Sequence, residues 1–166
     1  MKKLFLLGLL CIAVFTYFSC AKADNPQMTA CTDVNPNADS STIVKFANDS
    51  FPNAVPLTKD SSGLYYHIID SGSSSARAIA ENNLTVTYIA RFIPSNIIFD
   101  SATNSNLNGA QLGNLIYGWQ IGLPKIGVGG HIQLFIPSAY AWGCAVYGTI
   151  PSNTPVFFDI KLLAVY

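Results

Sequence analysis

Residues 112–136 read LGNLIYGWQIGLPKIGVGGHIQLFI, and two periodicities meet within them. Leu115 to Leu123 is the one central stretch able to wind into a helix; Gly118 and Gly122 weaken its propensity, and Pro124 limits its length. His131 to Ile136 then alternates, with Ile132, Leu134 and Ile136 on one face. The glycines at 127, 129 and 130 follow a helix and enter a strand. A phosphate loop runs the other way, from strand to helix, so this segment reads as a turn.

Working outward, the flanks read as strands. Asn83 to Phe92 alternates, placing Leu84, Val86, Tyr88, Ala90 and Phe92 on one face and Thr85, Thr87 and Arg91 on the other. Gly63 to Ile69 is a strand closed by Asp70. Ile97 to Asp100 is another, followed by an Asn-rich loop to Gly113. Val156 to Val165 ends the chain with Val156, Phe158, Ile160 and Leu162 aligned, and a long loop before it carries Tyr140, Trp142, Tyr147 and Ile150. Thr42 to Asn48 predicts a short helix that Pro52 and Pro56 close off. The expected class is α+β, an antiparallel sheet wrapped around one short helix.

The N-terminus has a different character. Lys2 and Lys3 precede an apolar run from Leu4 to Phe18, too short for a comfortable membrane span and shaped like a signal peptide, residues 1–19. Ser19-Cys20 closes the run and resembles the lipobox of bacterial lipoproteins, which implies lipidation of Cys20 and a membrane anchor in a bacterial cell envelope, facing the periplasm or the outside; a plain secretory signal is the rival. Residues 20–41 then read as a tether, 42–62 as a short extension, and 63–166 as the folded domain. Cys31 and Cys144 remain, as a bridge or as two free thiols.

Charge excludes more than it assigns. Without Lys2 and Lys3, seven basic side chains face nine acidic ones and no basic patch forms, so nucleic acid has no electrostatic footprint. There is no HExxH, GxSxG or Cys/His ligand spacing, hence no metal and no cofactor is expected. His67 and His131 sit inside strands and read as solvent-side residues. What stands out is aromatic: Tyr88, Phe99, Trp119, Trp142 and Phe158, each beside an element end.

Their setting is informative. Val86-Thr87-Tyr88, Phe99-Asp100-Ser101, Leu112 through Leu123, Val128-Gly129-Gly130, Ile136 through Gly143, Ile150-Pro151 and Val156 through Leu163 follow one another in a pattern that resembles the FKBP-type peptidyl-prolyl isomerases. The resemblance spans about eighty residues and implies an FKBP-like domain that isomerises X-Pro bonds of exported or envelope proteins. By position it implies a proline pocket of Tyr88, Phe99, Asp100, Leu115, Ile116, Trp119, Trp142, Ile150 and Phe158. Trp119 would be its floor, Tyr88, Phe99 and Phe158 its walls, the backbone N–H of Ile116 its carbonyl donor, and Leu107 and Tyr147 candidates for its rim. Proline-containing polypeptides, and macrolide inhibitors, are the implied ligands of a monomer. The chain departs from the family pattern in Trp142 where tyrosine is usual, in Ala90 where glycine is usual, and in an Asn-rich segment lacking the usual arginine. The alternative is a proline-binding or chaperone-like module of the same fold with weak or no turnover.

Overall fold

The computed structural model describes residues 31–54, 56–73 and 77–166. Residues 1–19, expected to be a signal peptide, and Cys20, expected to be lipidated, lie outside the described residues.

Six strands form one antiparallel sheet: β1 (Thr58–Lys59), β2 (Tyr65–Asp70), β3 (Leu84–Phe92), β4 (Ile98–Ser105), β5 (His131–Ile136) and β6 (Val156–Val165), in the order β1-β2-β5-β6-β3-β4. The two longest, β3 and β6, pair along their whole length from Leu84↔Val165 to Phe92↔Val156. Leu163 is an extra residue on β6 opposite the Thr85–Val86 step, and the β3–β4 pairing shifts register twice, between Val86 and Tyr88 and between Ala90 and Arg91. Bulges of this kind bend a strand and sharpen its twist, which curls the sheet around a helix.

That helix is α2 (Tyr117–Gly122), continued by a 3-10 turn at Leu123–Lys125 where Pro124 sits in the first turn. Six residues cannot hold a helix by propensity, so packing must do it. Gly118 and Gly122 explain how. A Cβ on Gly118 would lie 2.5 Å from Cγ2 of Ile136, and one on Gly122 would lie 2.5 Å from Cδ2 of Leu134. The glycines that lower helix propensity are therefore what let the helix backbone rest directly on β5. Around this contact the core closes over Leu84, Val86, Ala90, Ile132, Leu134, Ile136, Phe158, Ile160 and Leu162.

A second helix, α1 (Ser40–Ser50), covers the other face of the sheet. It buries Ile43, Phe46 and Ala47 against Phe135, Phe157, Tyr65 and Ile93. Phe51 stacks on Phe157 at 4.2 Å, and Phe46 meets Phe135 edge-on at 6.4 Å. Alternation along β5 and β6 thus hides two buried faces, not one: the odd-numbered phenylalanines belong to this smaller core. Further along the same face the residues turn polar, and His131 sits 2.6 Å from Asp159, which also accepts from Gln133.

Several boundaries differ from expectation. Helix α1 starts at Ser40 instead of Thr42, β1 is an additional edge strand, and β4 runs on to Ser105. Asn104, Leu107 and Asn108 adopt positive φ, so part of the Asn-rich stretch is an irregular strand and a tight turn. Asparagine tolerates that conformation where most residues do not. Of the stretch read as a tether, residues 31–41 are held against the domain: Cys31 is disulfide-bonded to Cys144, and Asp39 accepts from both the N–H and the hydroxyl of Ser138. Composition signals no such contacts, because each depends on a partner about a hundred residues away.

Candidate active site

On the helix-covered side, an aromatic cleft of about 140 Å³ opens between α2, β3, β4, β6 and the loop after β5. Its lining is Tyr88, Asp100, Leu107, Leu115, Ile116, Trp119, Trp142 and Phe158. The strands position three of the eight. Tyr88 lies on β3, Asp100 on β4 and Phe158 on β6, and pairings Tyr88↔Ile160 and Ala90↔Phe158 set the first and last beside each other. Helix α2 contributes Trp119, and the backbone leading into it contributes Leu115 and Ile116.

The rings brace one another at right angles. Trp119 is 4% exposed, with its ring perpendicular to Tyr88 at 5.4 Å and to Phe158 at 5.3 Å. Such edge-to-face pairs are worth about 0.5–1.5 kcal/mol each beyond area burial. Its indole N–H is buried and finds no hydrogen-bond partner among the described residues. Phe99 stands edge-on to Phe158 at 6.0 Å and to Trp142 at 5.9 Å, backed by Phe92 stacked at 4.5 Å. It is half-buried and touches both of these lining rings directly. Trp142 also stacks on the exposed Tyr147, at 6.1 Å with 19° between the planes.

Polar groups are few. The Tyr88 hydroxyl donates to Asp100 at 2.6 Å, and the other oxygen of Asp100 accepts from the N–H of Ser101 at 2.8 Å. Burial first, and the neighbouring Asp100 carboxylate second, push the Tyr88 phenol well above its ordinary pKa. Tyr88 therefore stays a donor across the physiological range. The carbonyl of Ile116 accepts from Trp119 and Gln120, whereas its N–H has no partner among the described residues. Leu107, at φ 53, is held in a backbone conformation uncommon for a branched residue, a strain found at ligand-binding rims.

Of the eleven residues singled out from sequence as pocket or rim, the cleft brings together Tyr88, Asp100, Leu107, Leu115, Ile116, Trp119, Trp142 and Phe158. Phe99 stands beside the lining, in contact with Trp142 and Phe158. Ile150 is buried but off the lining, exchanging two backbone hydrogen bonds with Tyr147, which stands outside on Trp142. Phe92, on the Tyr88 face of β3, braces Phe99 from behind, a role that the alternation of β3 signals without specifying its partner. A larger depression of about 400 Å³ lies on the opposite face beside the end of α1, lined by Phe51, Pro52, His67 and Gln133 among others. Size favours that one, but it has no comparable aromatic box, and chemistry favours the smaller.

The sequence matches the family model described as FKBP-type peptidyl-prolyl cis-trans isomerase over residues 75–163. The chain belongs to this family. Among curated members, FkpA of Escherichia coli strain K12, an FKBP-type peptidyl-prolyl cis-trans isomerase, is 30% identical over 128 residues, 77% of this chain and 47% of that protein. The crystal structure of Escherichia coli FkpA superposes with a TM-score of 0.61 at 30% identity, over 79% of this chain and 59% of the other. A peptidyl-prolyl cis-trans isomerase from Pseudomonas syringae pv. tomato gives 0.62 at 28% identity, over 81% of this chain and 98% of that one. The chain spans about half the length of the curated relative FkpA. The FKBP-type fold, an α+β antiparallel sheet on a short helix, is the one the structure has.

Proposed function

We propose that the chain is a peptidyl-prolyl cis-trans isomerase acting on X-Pro bonds, with the Trp119-floored cleft as its active site. The observation that carries this reading is the box of perpendicular rings on Trp119, open on one side and bordered by the N–H of Ile116, which has no partner among the described residues.

Rotating an X-Pro amide breaks its resonance, against a barrier of about 18–20 kcal/mol, so the uncatalysed step takes tens of seconds. No covalent bond is exchanged, and neither nucleophile nor metal is needed. Twisting the amide removes charge separation between nitrogen and oxygen. A dry aromatic cleft disfavours the polar planar amide more than the twisted one, which is catalysis by differential binding. In this scheme the proline ring rests on Trp119 between Tyr88 and Phe158, and the N–H of Ile116 holds a substrate carbonyl. Asp100 keeps the Tyr88 hydroxyl directed and places negative charge beside the rotating group.

The substrates are proline-containing polypeptides of the cell envelope, reached from a membrane anchor at Cys20 by a monomeric chain, and FK506-type macrolides are competitive ligands. Support for the macrolide is indirect: a yeast relative, FK506-binding protein 1, is 44% identical over 55 residues. Trp142 favours a second reading. Its ring, packed between Phe99 and Tyr147, narrows the rim where the family usually has tyrosine, as suits a proline-binding module that turns over slowly.

One assay separates the two. Cis-to-trans relaxation of a proline tetrapeptide is accelerated by the full chain, and Phe99→Ala or Asp100→Ala removes most of the acceleration. Macrolide binding without acceleration selects the binding module; no binding and no acceleration eliminates the cleft as a proline site. For the anchor, Cys20→Ser moves the chain from the membrane to the soluble fraction.

A further inference from the structure

The loop that carries Trp142 is held on both sides of that residue by a segment outside the family region. Residues 31–39 precede the matched stretch 75–163, yet they cross to the loop between β5 and β6 and bind it on either side of Trp142. On the near side, one carboxylate oxygen of Asp39 accepts from the N–H of Ser138 at 2.8 Å and from its hydroxyl at 2.7 Å, and Ser138 is fully buried. On the far side, Asp33 accepts from the N–H of Cys144 at 2.8 Å, and Cys144 is bonded to Cys31. Between these anchors, Gly143 has φ 60, and a Cβ there would lie 2.0 Å from the same Asp33 oxygen, so the strap is seated directly on the loop backbone. The carbonyl of Gly143 accepts from the N–H of Asn153 at 2.7 Å, which closes the loop from beneath. A further bond, from Lys59 to Asn37 at 2.8 Å, ties the middle of the strap to β1.

We infer that Cys31, Asp33 and Asp39 are positioning residues that set Trp142 as the rim of the cleft and thereby fix substrate affinity. This rests on the isomerase reading of the cleft. None of the three lines the cleft; each acts through the loop. A rim tryptophan free to move must be ordered when substrate binds, and that entropy is subtracted from affinity. A strap that orders it beforehand removes the cost, so the effect falls on KM, whereas the ring box on Trp119, which acts in the twisted state, governs kcat.

The test uses the full chain carrying Asp39→Ala, Asp33→Ala, or Cys31→Ser with Cys144→Ser, assayed well below each variant's melting temperature. KM for a proline tetrapeptide rises about fivefold for Asp33→Ala, the ratio that one hydrogen bond of ordinary net strength represents, and at least as much for Asp39→Ala, which loses two, and for the cysteine pair, with kcat little changed. Acrylamide quenching of tryptophan fluorescence increases in the same variants, and the increase disappears when Trp142→Phe is added, which assigns it to the rim. Asp39→Asn and Asp33→Asn keep an acceptor oxygen and recover wild-type KM and quenching. Variants that melt earlier but keep wild-type KM and quenching overturn the proposal and leave the strap as a stabilising staple. Should the wild-type chain fail to isomerise, the catalytic reading falls separately, and quenching alone decides the strap: an increase supports it, no change refutes it.

Discussion

Replacing Gly118 by alanine sets two known effects against each other. Helix propensity favours alanine over an interior glycine by about 0.8–1.0 kcal/mol. Packing opposes it, because the new methyl would lie 2.5, 2.7 and 2.9 Å from Cγ2, Cδ1 and Cγ1 of Ile136, where carbon atoms prefer about 3.5–4.0 Å. Ile136 is fully buried and β-branched, so it cannot swing aside, and Gly122 pressed on Leu134 one turn later prevents the helix from tilting away. Overpacking of this kind costs about 1–3 kcal/mol. The expected net result is a loss of about 1 kcal/mol, read as a lower urea midpoint at unchanged slope. A second measurement isolates the cause. Ile136→Ala alone costs about 2–5 kcal/mol, but in the double variant the alanine methyl enters the vacated space, so the two losses fall short of additive by about 1 kcal/mol. A raised midpoint for Gly118→Ala, or strict additivity in the cycle, refutes the claim that α2 is held by backbone contact with β5.

Three other outcomes follow from the same geometry. Phe46→Ala opens the smaller core beneath α1, where Phe46 touches Phe51, Phe135 and Phe157; it costs about 3–5 kcal/mol in chemical denaturation while the aromatic cleft stays intact. Tyr88→Phe removes the donor to Asp100. Since the folded pKa of Tyr88 is raised, its contribution is complete below the unfolded value of about 10 and declines from there up to the higher folded value, so the stability gap between wild type and variant is constant up to about pH 9 and starts to close as the pH passes about 10. Asp60 behaves in the opposite sense. Burial raises its pKa, but bonds from Ser62 and the ammonium of Lys125 at 3.0 Å outweigh that and hold it below the usual carboxylate value. Its contribution is complete above about pH 4 and is lost on acidification through the folded value, so the stability gap to Asp60→Asn narrows between pH 5 and pH 3, measured by thermal melts.

The sheet and the cleft were legible in the sequence for different reasons. Strand β3 announced itself because one face is apolar and the other polar, the pattern a half-buried strand must have. Strands β5 and β6 were legible only on their α2 face. Phe135 and Phe157 break the alternation by being buried on the wrong side, and their partner, α1, is joined to them by tertiary contact alone. The aromatic lining could be found because its residues occur in the family's order, while the layer to which each ring belongs could not. Phe99 and Ile150 take their places from contacts with Trp142, Phe158 and Tyr147 that exist only once β4 and the loop after β5 are folded together. The Cys31–Cys144 bond and the Asp39–Ser138 contact join positions 113 and 99 apart, and no local pattern encodes such a meeting.

The same disulfide makes most of the domain a covalent ring. Residues 31 to 144 enclose β1 through β5, both helices and every exposed turn among them, including the one at Leu107–Gly109. Closing a loop of about that length removes some 4–5 kcal/mol of denatured-chain entropy in the simplest account. It also changes what a protease can achieve. A single cut anywhere within the ring opens it without releasing a fragment, so a nicked molecule keeps its full mass until it is reduced, and its two pieces remain tethered where they can re-pair around an undamaged cleft.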